Sequence, residues 1–173
     1  MSRILTTIDF DGVVSPIDHD RDFKADPDFD VFRIGGFQCA ISEGVQDFLW
    51  ELRGLSDSQP ELLSAVWVSS WQDLTGYFAK DSEGKIPHFD YLNIGDGKAR
   101  AIADEAIRQD AELILVLEDY ESVHEDLRKL QRRDMRLSGR HFVALRPELA
   151  TGLQFAHIVA ARSLIAAAAQ RGN

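Results

Sequence analysis

The sequence predicts an α/β protein built on a central, mostly parallel sheet. Four short apolar runs recur along the 173 residues, helical periods separate them, and the runs are continuous in apolar residues rather than alternating. Continuous runs fit strands covered on both faces, and alternation of strand with helix fits βαβ units. The strands are expected at 3–8, 64–69, 112–117 and 141–145, of which Glu112-Leu113-Ile114-Leu115-Val116-Leu117 is the most strand-like. The helices are expected between them. One runs over 42–53, with Val45, Phe48, Leu49 and Leu52 on one face and Gly54 as a stop. Others run over 97–109 (Ala99, Ile102, Ala103, Ala106, Ile107) and 122–133 (Val123, Leu127, Leu130), and an alanine-rich one runs from about 153 to 170, ending near Gly172.

Composition narrows the function classes. Apolar residues make up 45% and charged residues 28%, enough for a packed core in one domain spanning 1–173. Twenty-nine acidic against 19 basic residues give a net charge of −10, which disfavours a module that holds nucleic acid mainly by neutralising phosphates. Cys39 is the single cysteine and is expected to be a small buried residue; a cysteine zinc site is excluded within one chain. No apolar run reaches the roughly 18–20 residues of a membrane span, and Asp9 arrives too early for a signal peptide, so a cytoplasmic protein is expected. The stretch 15–36 is polar, with Asp18, Asp20, Asp22, Asp26, Asp28 and Asp30 crowded into it. It is too long for an ordinary loop and reads as a small acidic insertion or flap near the mouth of a site. Its spacing is like that of a calcium loop, but the required glycine and closing glutamate are missing.

The chemistry-bearing residues fall at the ends of the apolar runs. Ile8-Asp9-Phe10-Asp11-Gly12-Val13 puts two carboxylates two residues apart where the first strand ends, and in parallel α/β sheets ligands bind at the carboxyl ends of strands. Gly12 permits a sharp turn and close approach to a ligand. Such a pair suits phosphoryl transfer, one carboxylate attacking phosphorus and the other moving the proton of the leaving oxygen. A carboxylate approaches a phosphate dianion only if the charge is offset, so a cation such as Mg²⁺ and a positive side chain are needed. Ser69 or Ser70 supplies a hydroxyl at the end of the second run. Lys98 opens a helix in Gly95-Asp96-Gly97-Lys98-Ala99, and Glu118-Asp119 supplies acids at the end of the third run. A P-loop is excluded there, because Leu92 stands where a glycine is required and Ala99 where a hydroxyl is.

In this order the segments resemble the haloacid dehalogenase-like (HAD) superfamily of phosphohydrolases. Asp9-Phe10-Asp11-Gly12-Val13 is similar to its first motif, Ala65 to Ser69 to its second, Lys98 to its third and Glu118-Asp119 to its fourth. The resemblance implies a three-layer, Rossmann-like core without a large cap, and a Mg²⁺-dependent phosphatase working through an aspartyl-phosphate. It also implies roles: Asp9 as nucleophile, Asp11 as general acid/base, Ser69 and Lys98 as phosphate binders. Asp9, the backbone carbonyl of Asp11, Glu118 and Asp119 would be metal ligands. The fourth motif departs from the usual pair of aspartates at Glu118, which leaves open whether Glu118 or Asp119 binds metal directly. Glu121 is a further acid nearby. Trp67-Val68-Ser69-Ser70-Trp71 and Pro147 to Leu153 resemble segments of a subgroup associated with Swiss Army Knife RNA-repair assemblies, which implies a nucleic-acid end as substrate. Only 57 residues separate Asp11 from Ser69, so no large cap fits there, and in the family it resembles a capless core implies an open site that accepts a large substrate or is closed by a partner. A HAD-like domain that binds a partner without catalysing is the alternative.

Three further groups have two readings each. Trp67 and Trp71 read as packing or as a base-stacking surface. Arg128, Lys129, Arg132, Arg133, Arg136 and Arg140 read as a solvated helix face or as a phosphate-backbone track. The five histidines have no metal-ligand spacing and read as structural.

Overall fold

Strand β1 (Ile4–Ile8) is buried along its whole length and lies at the centre of a parallel sheet. The structure, a computed structural model, describes residues 3–170. After β1 come a hairpin of β2 (Phe29–Ile34) and β3 (Phe37–Ser42), then α1 (Glu43–Ser58) and β4 (Leu63–Trp67). These are followed by α2 (Gly76–Asp81), α3 (Lys98–Arg108), β5 (Leu113–Leu117), α4 (Glu121–Arg133), β6 (His141–Leu145) and α5 (Phe155–Gln170). The sheet order is β4-β1-β5-β6, all parallel, and β2-β3 form a separate antiparallel pair. The chain steps from β1 to one neighbour, β4, and then across to the other, β5. That reversal puts a crevice beside the carboxyl end of β1, where the first pair of carboxylates leaves the sheet.

Alternation along the strands sorts the core. Ile4, Ile8, Trp67, Leu115 and Leu117 pack with Phe48, Leu49 and Leu52 of α1 and Ile158, Ala161 and Ile165 of α5. Leu5, Val66, Ile114 and Val116 pack with Ile102, Ala103 and Ala106 of α3 and Leu127 of α4. Each fully buried Leu, Ile or Phe stabilises by about 1.5–3 kcal/mol relative to exposure, so both faces of the sheet are strongly specified. No helix among the described residues is long and apolar enough to cross a membrane.

Three expectations change. The 15–36 stretch is ordered by a 3₁₀ turn at Phe23–Ala25 and by the hairpin, which extends it to Ser42. Helix α1 continues through Gly54 to Ser58, because Leu55 keeps packing on the core and an exposed glycine costs only about 1 kcal/mol. Strand β4 ends at Trp67, two residues before Ser69. The expected end of the last helix near Gly172 lies outside the described residues.

The segment after β6 closes over the first turn. Ile17 N–H donates to Leu149 O at 2.8 Å and Leu153 N–H to Val13 O at 2.8 Å. Gly152 holds φ +62°, and a Cβ there would lie 2.8 Å from the Val13 carbonyl oxygen. Gly152→Ala is therefore expected to lower stability by about 2 kcal/mol in urea unfolding. Gly54→Ala, with nothing within 4 Å of its Cβ, is expected to raise it by about 0.5–1 kcal/mol. Equal effects at the two positions would contradict this packing.

Candidate active site

Asp9, Ser69 and Glu118 all follow the carboxyl ends of neighbouring strands, and all three are buried. Beyond β1 the chain turns, with Val14 and Ser15 N–H donating to the Phe10 carbonyl at 2.9 Å, and Phe10 packs inward between the two aspartates. Phe10 is fully buried and stacks on Phe78, with ring centroids 4.1 Å apart and Trp71 edge-on at 5.4 Å. This aromatic anchor fixes the two carboxylates on their turn. The Asp9 carboxylate accepts from its neighbour Phe10 N–H at 2.8 Å and from the Lys98 ammonium, and the Ser69 hydroxyl also favours its ionised form.

Lys98 opens α3 and its Nζ also donates to Glu118 Oε2 at 2.8 Å. One ammonium thus bridges two carboxylates from different strands. The other Glu118 oxygen accepts from Tyr120 N–H at 3.1 Å, and the Glu118 carbonyl is 2.8 Å from His124 Nε2. Arg146 Nε donates to the Asp119 carbonyl at 3.2 Å.

Asp119 is different. Its Oδ1 is buried and has no hydrogen-bond partner. Its Oδ2 would lie 2.7 Å from a Cβ on Gly12, whose φ is +73°, so only glycine lets this turn pass so close to the carboxylate. Carboxylate atoms of Asp9, Glu118 and Asp119 lie within 4.8 Å of one another, the one such acidic group among the described residues. Three converging hard oxygen donors, one of them orphaned, fit a cation such as Mg²⁺. Glu118 has both oxygens engaged, so Asp119 is the better direct ligand of the two.

Charge accounting sets the protonation. Burial pushes the Asp9 and Glu118 carboxyls up, Glu118 to about 8 with the charge of Asp9 adding to it. Burial would lower Lys98, but Asp9 and Glu118 outweigh it and hold the ammonium above its usual range. One cation cannot neutralise two buried carboxylates, so without metal burial favours a proton held between the Asp9 and Glu118 pair.

Asp11 stands apart from the acidic group. Its Oδ2 accepts from Trp71 Nε1 at 2.9 Å. Burial raises its pKa and the nearby Asp9 adds to this, while the Trp71 bond works in the opposite direction. A carboxyl held by a neutral donor and shifted upward is suited to carrying a proton. Of the two serines, Ser69 is buried beside Asp9 and Ser70 is exposed.

Other expectations resolve as follows. Asp18, Asp22 and Asp26 accept from the N–H groups two residues on, at 3.0, 3.1 and 3.0 Å, so the acidic flap is built of local turns. The basic concentration is largely paired: Arg128 with Glu121, Lys129 with Asp126, Arg136 with Asp134 and Arg140 with Asp110. Cys39 is buried, and burial together with the Asp11 charge pushes its thiol up to about 12. Sequence reasoning missed Trp71 as the donor to Asp11 and His124 as the partner of the Glu118 carbonyl. The tryptophan was visible only as an aromatic near a motif, and the histidine only by its place on the first turn of the next helix. Compared with protein families, curated proteins and solved structures, the chain gives no match.

The upward shift at Glu118, which belongs to the pair it forms with Asp9, has a measurable consequence. Between pH about 4.5 and 8 the unfolded chain has released the proton while the metal-free fold keeps it, so the fold binds more protons and its stability falls as pH rises through that window. Glu118→Gln, neutral throughout, is expected to flatten the decline in melting temperature between pH 5 and 8. An unchanged slope would contradict the assignment.

Proposed function

We propose that the protein is a Mg²⁺-dependent phosphomonoester hydrolase with a HAD-like, three-layer core, working through an aspartyl-phosphate on Asp9. The observation that carries this reading is the Lys98 ammonium shared by Asp9 and Glu118, with the orphaned Asp119 oxygen beside them and Asp11 held separately by Trp71. A salt-bridged surface cluster would not combine burial, an unpartnered carboxylate oxygen and a second acid kept off the first.

The steps follow from the chain's own groups. Asp9 attacks phosphorus, the bond from phosphorus to the ester oxygen breaks, and that oxygen takes the proton from Asp11. Water then attacks the phosphorus of the acyl phosphate and gives its proton to Asp11, the bond from phosphorus to the Asp9 oxygen breaks, and inorganic phosphate leaves, which restores the Asp9 carboxylate and the protonated Asp11. Lys98 and the Ser69 hydroxyl hold non-bridging oxygens, and Phe10 N–H keeps Asp9 oriented. Mg²⁺ would be held by Asp9, Asp119 and the Asp11 backbone carbonyl with Glu118 alongside, and when bound it offsets the charge of the phosphate dianion. Four of the six basic residues of the basic stretch, Arg128, Lys129, Arg136 and Arg140, already pair with acids, which favours a small phosphate ester over a nucleic-acid end.

Asp9→Asn is expected to lower phosphate release from acetyl phosphate and phenyl phosphate about 1,000-fold or more with the fold intact by circular dichroism. Activity within tenfold of the unsubstituted protein would remove Asp9 as nucleophile and the reading with it.

A further inference from the structure

Beside Asp11 a cleft of about 600 Å³ lies between the hairpin side of the molecule and the loop after β4. That is within the range of small-ligand pockets, about 300–1,000 Å³. We propose that this cleft takes the leaving group of the substrate, and that the leaving group is a single planar aromatic ring system of nucleoside size carrying no further phosphate. The inference rests on the phosphatase reading and names its substrate class.

The first support is continuity with the acid. Trp71 both donates to Asp11 and forms the cleft wall, so an ester oxygen receiving the Asp11 proton sits at the cleft mouth and its substituent runs along the indole. The second is the aromatic lip. Phe37, at the start of β3, is 62% exposed, an unusual state for phenylalanine, and meets Trp71 edge-on with centroids 5.4 Å apart. Leu74, also exposed, lines the same cleft. An incoming ring extends this array and covers both side chains. The lip is held in place, because Gly35 N–H at the hairpin turn donates to Asp81 Oδ2 at 3.0 Å, tying it to α2.

The third is charge. Asp11 and Asp18 line the cleft, and its arginine, Arg21, is already paired with Asp26 and lies over Phe23 and Phe29 at 5.0 and 4.8 Å. No lysine is among the described lining residues. A second phosphate, as in a polynucleotide end, would meet the Asp18 carboxylate there with His19 as the lining side chain able to oppose it, whereas a neutral ring with exocyclic polar groups meets Gln38 and Ser70.

The test measures phosphate release by the full chain with Mg²⁺ from acetyl phosphate, glycerol 3-phosphate, phenyl phosphate, adenosine 5′-monophosphate and a 5′-phosphorylated oligonucleotide. The ring-bearing monoesters are expected to exceed glycerol 3-phosphate at least tenfold in kcat/KM. Phe37→Ala is expected to reduce that advantage about tenfold through KM while leaving acetyl phosphate unchanged. Turnover of acetyl phosphate without a ring preference, equal loss on every substrate in Phe37→Ala, or preference for the oligonucleotide would overturn the proposal. Release from none of the five would overturn the phosphatase reading instead. Calorimetric binding of adenosine then decides the cleft separately: binding weakened by Phe37→Ala supports it, and no binding, or binding indifferent to Phe37→Ala, overturns it.

Discussion

The site depends on one shared cation. Lys98 lies between Asp9 and Glu118, and the two carboxylates are brought together by neighbouring strands whose register the core fixes. At about 4 Å and an effective dielectric near 20, like charges repel by about 4 kcal/mol, comparable to a large part of a domain's net stability. Two buried carboxylates so placed are tolerated only with the ammonium between them and a proton on one, or with a further cation replacing that proton. The surplus of negative charge is what a bound cation would offset.

The same constraint accounts for the different surroundings of the two aspartates of the first turn. Asp9 is drawn toward Lys98, while Asp11 is drawn to the neutral N–H of Trp71. Both residues stand on one turn, fixed from below by Phe10 in its aromatic packing and from above by the segment after β6, which bonds to Val13 and Ile17. The residues that approach the site from loops are thus held by a rigid parallel sheet, the usual way a scaffold positions reactive groups.

Much of this was legible in the sequence. The four sheet strands appear as continuous apolar runs because a strand covered on both faces has no polar side to interrupt it; the acids and the serine follow the carboxyl ends of three of them, and the lysine opens α3. The hairpin was not recognised. Its strands are half-buried and mixed in composition without a clean alternation, although Gly35-Gly36 between Phe29–Ile34 and Phe37–Ser42 is a two-residue turn signal. Gly54 misled because a helix stop was inferred from a residue whose small intrinsic cost is outweighed by Leu55 packing beyond it. The contacts of Trp71 with Asp11 and of Arg146 with Asp119 join residues 60 and 27 positions apart, and no local pattern encodes them.

The most direct test of the shared-cation account is fluorine NMR of the protein with beryllium fluoride and Mg²⁺, in which a trifluoroberyllate adduct on a carboxylate stands in for the phosphoryl group. A slowly exchanging bound resonance that needs Mg²⁺ and disappears in both Asp9→Asn and Lys98→Met is the expected result. A protein that forms no such adduct, or one that forms it equally well in Lys98→Met, would contradict the account.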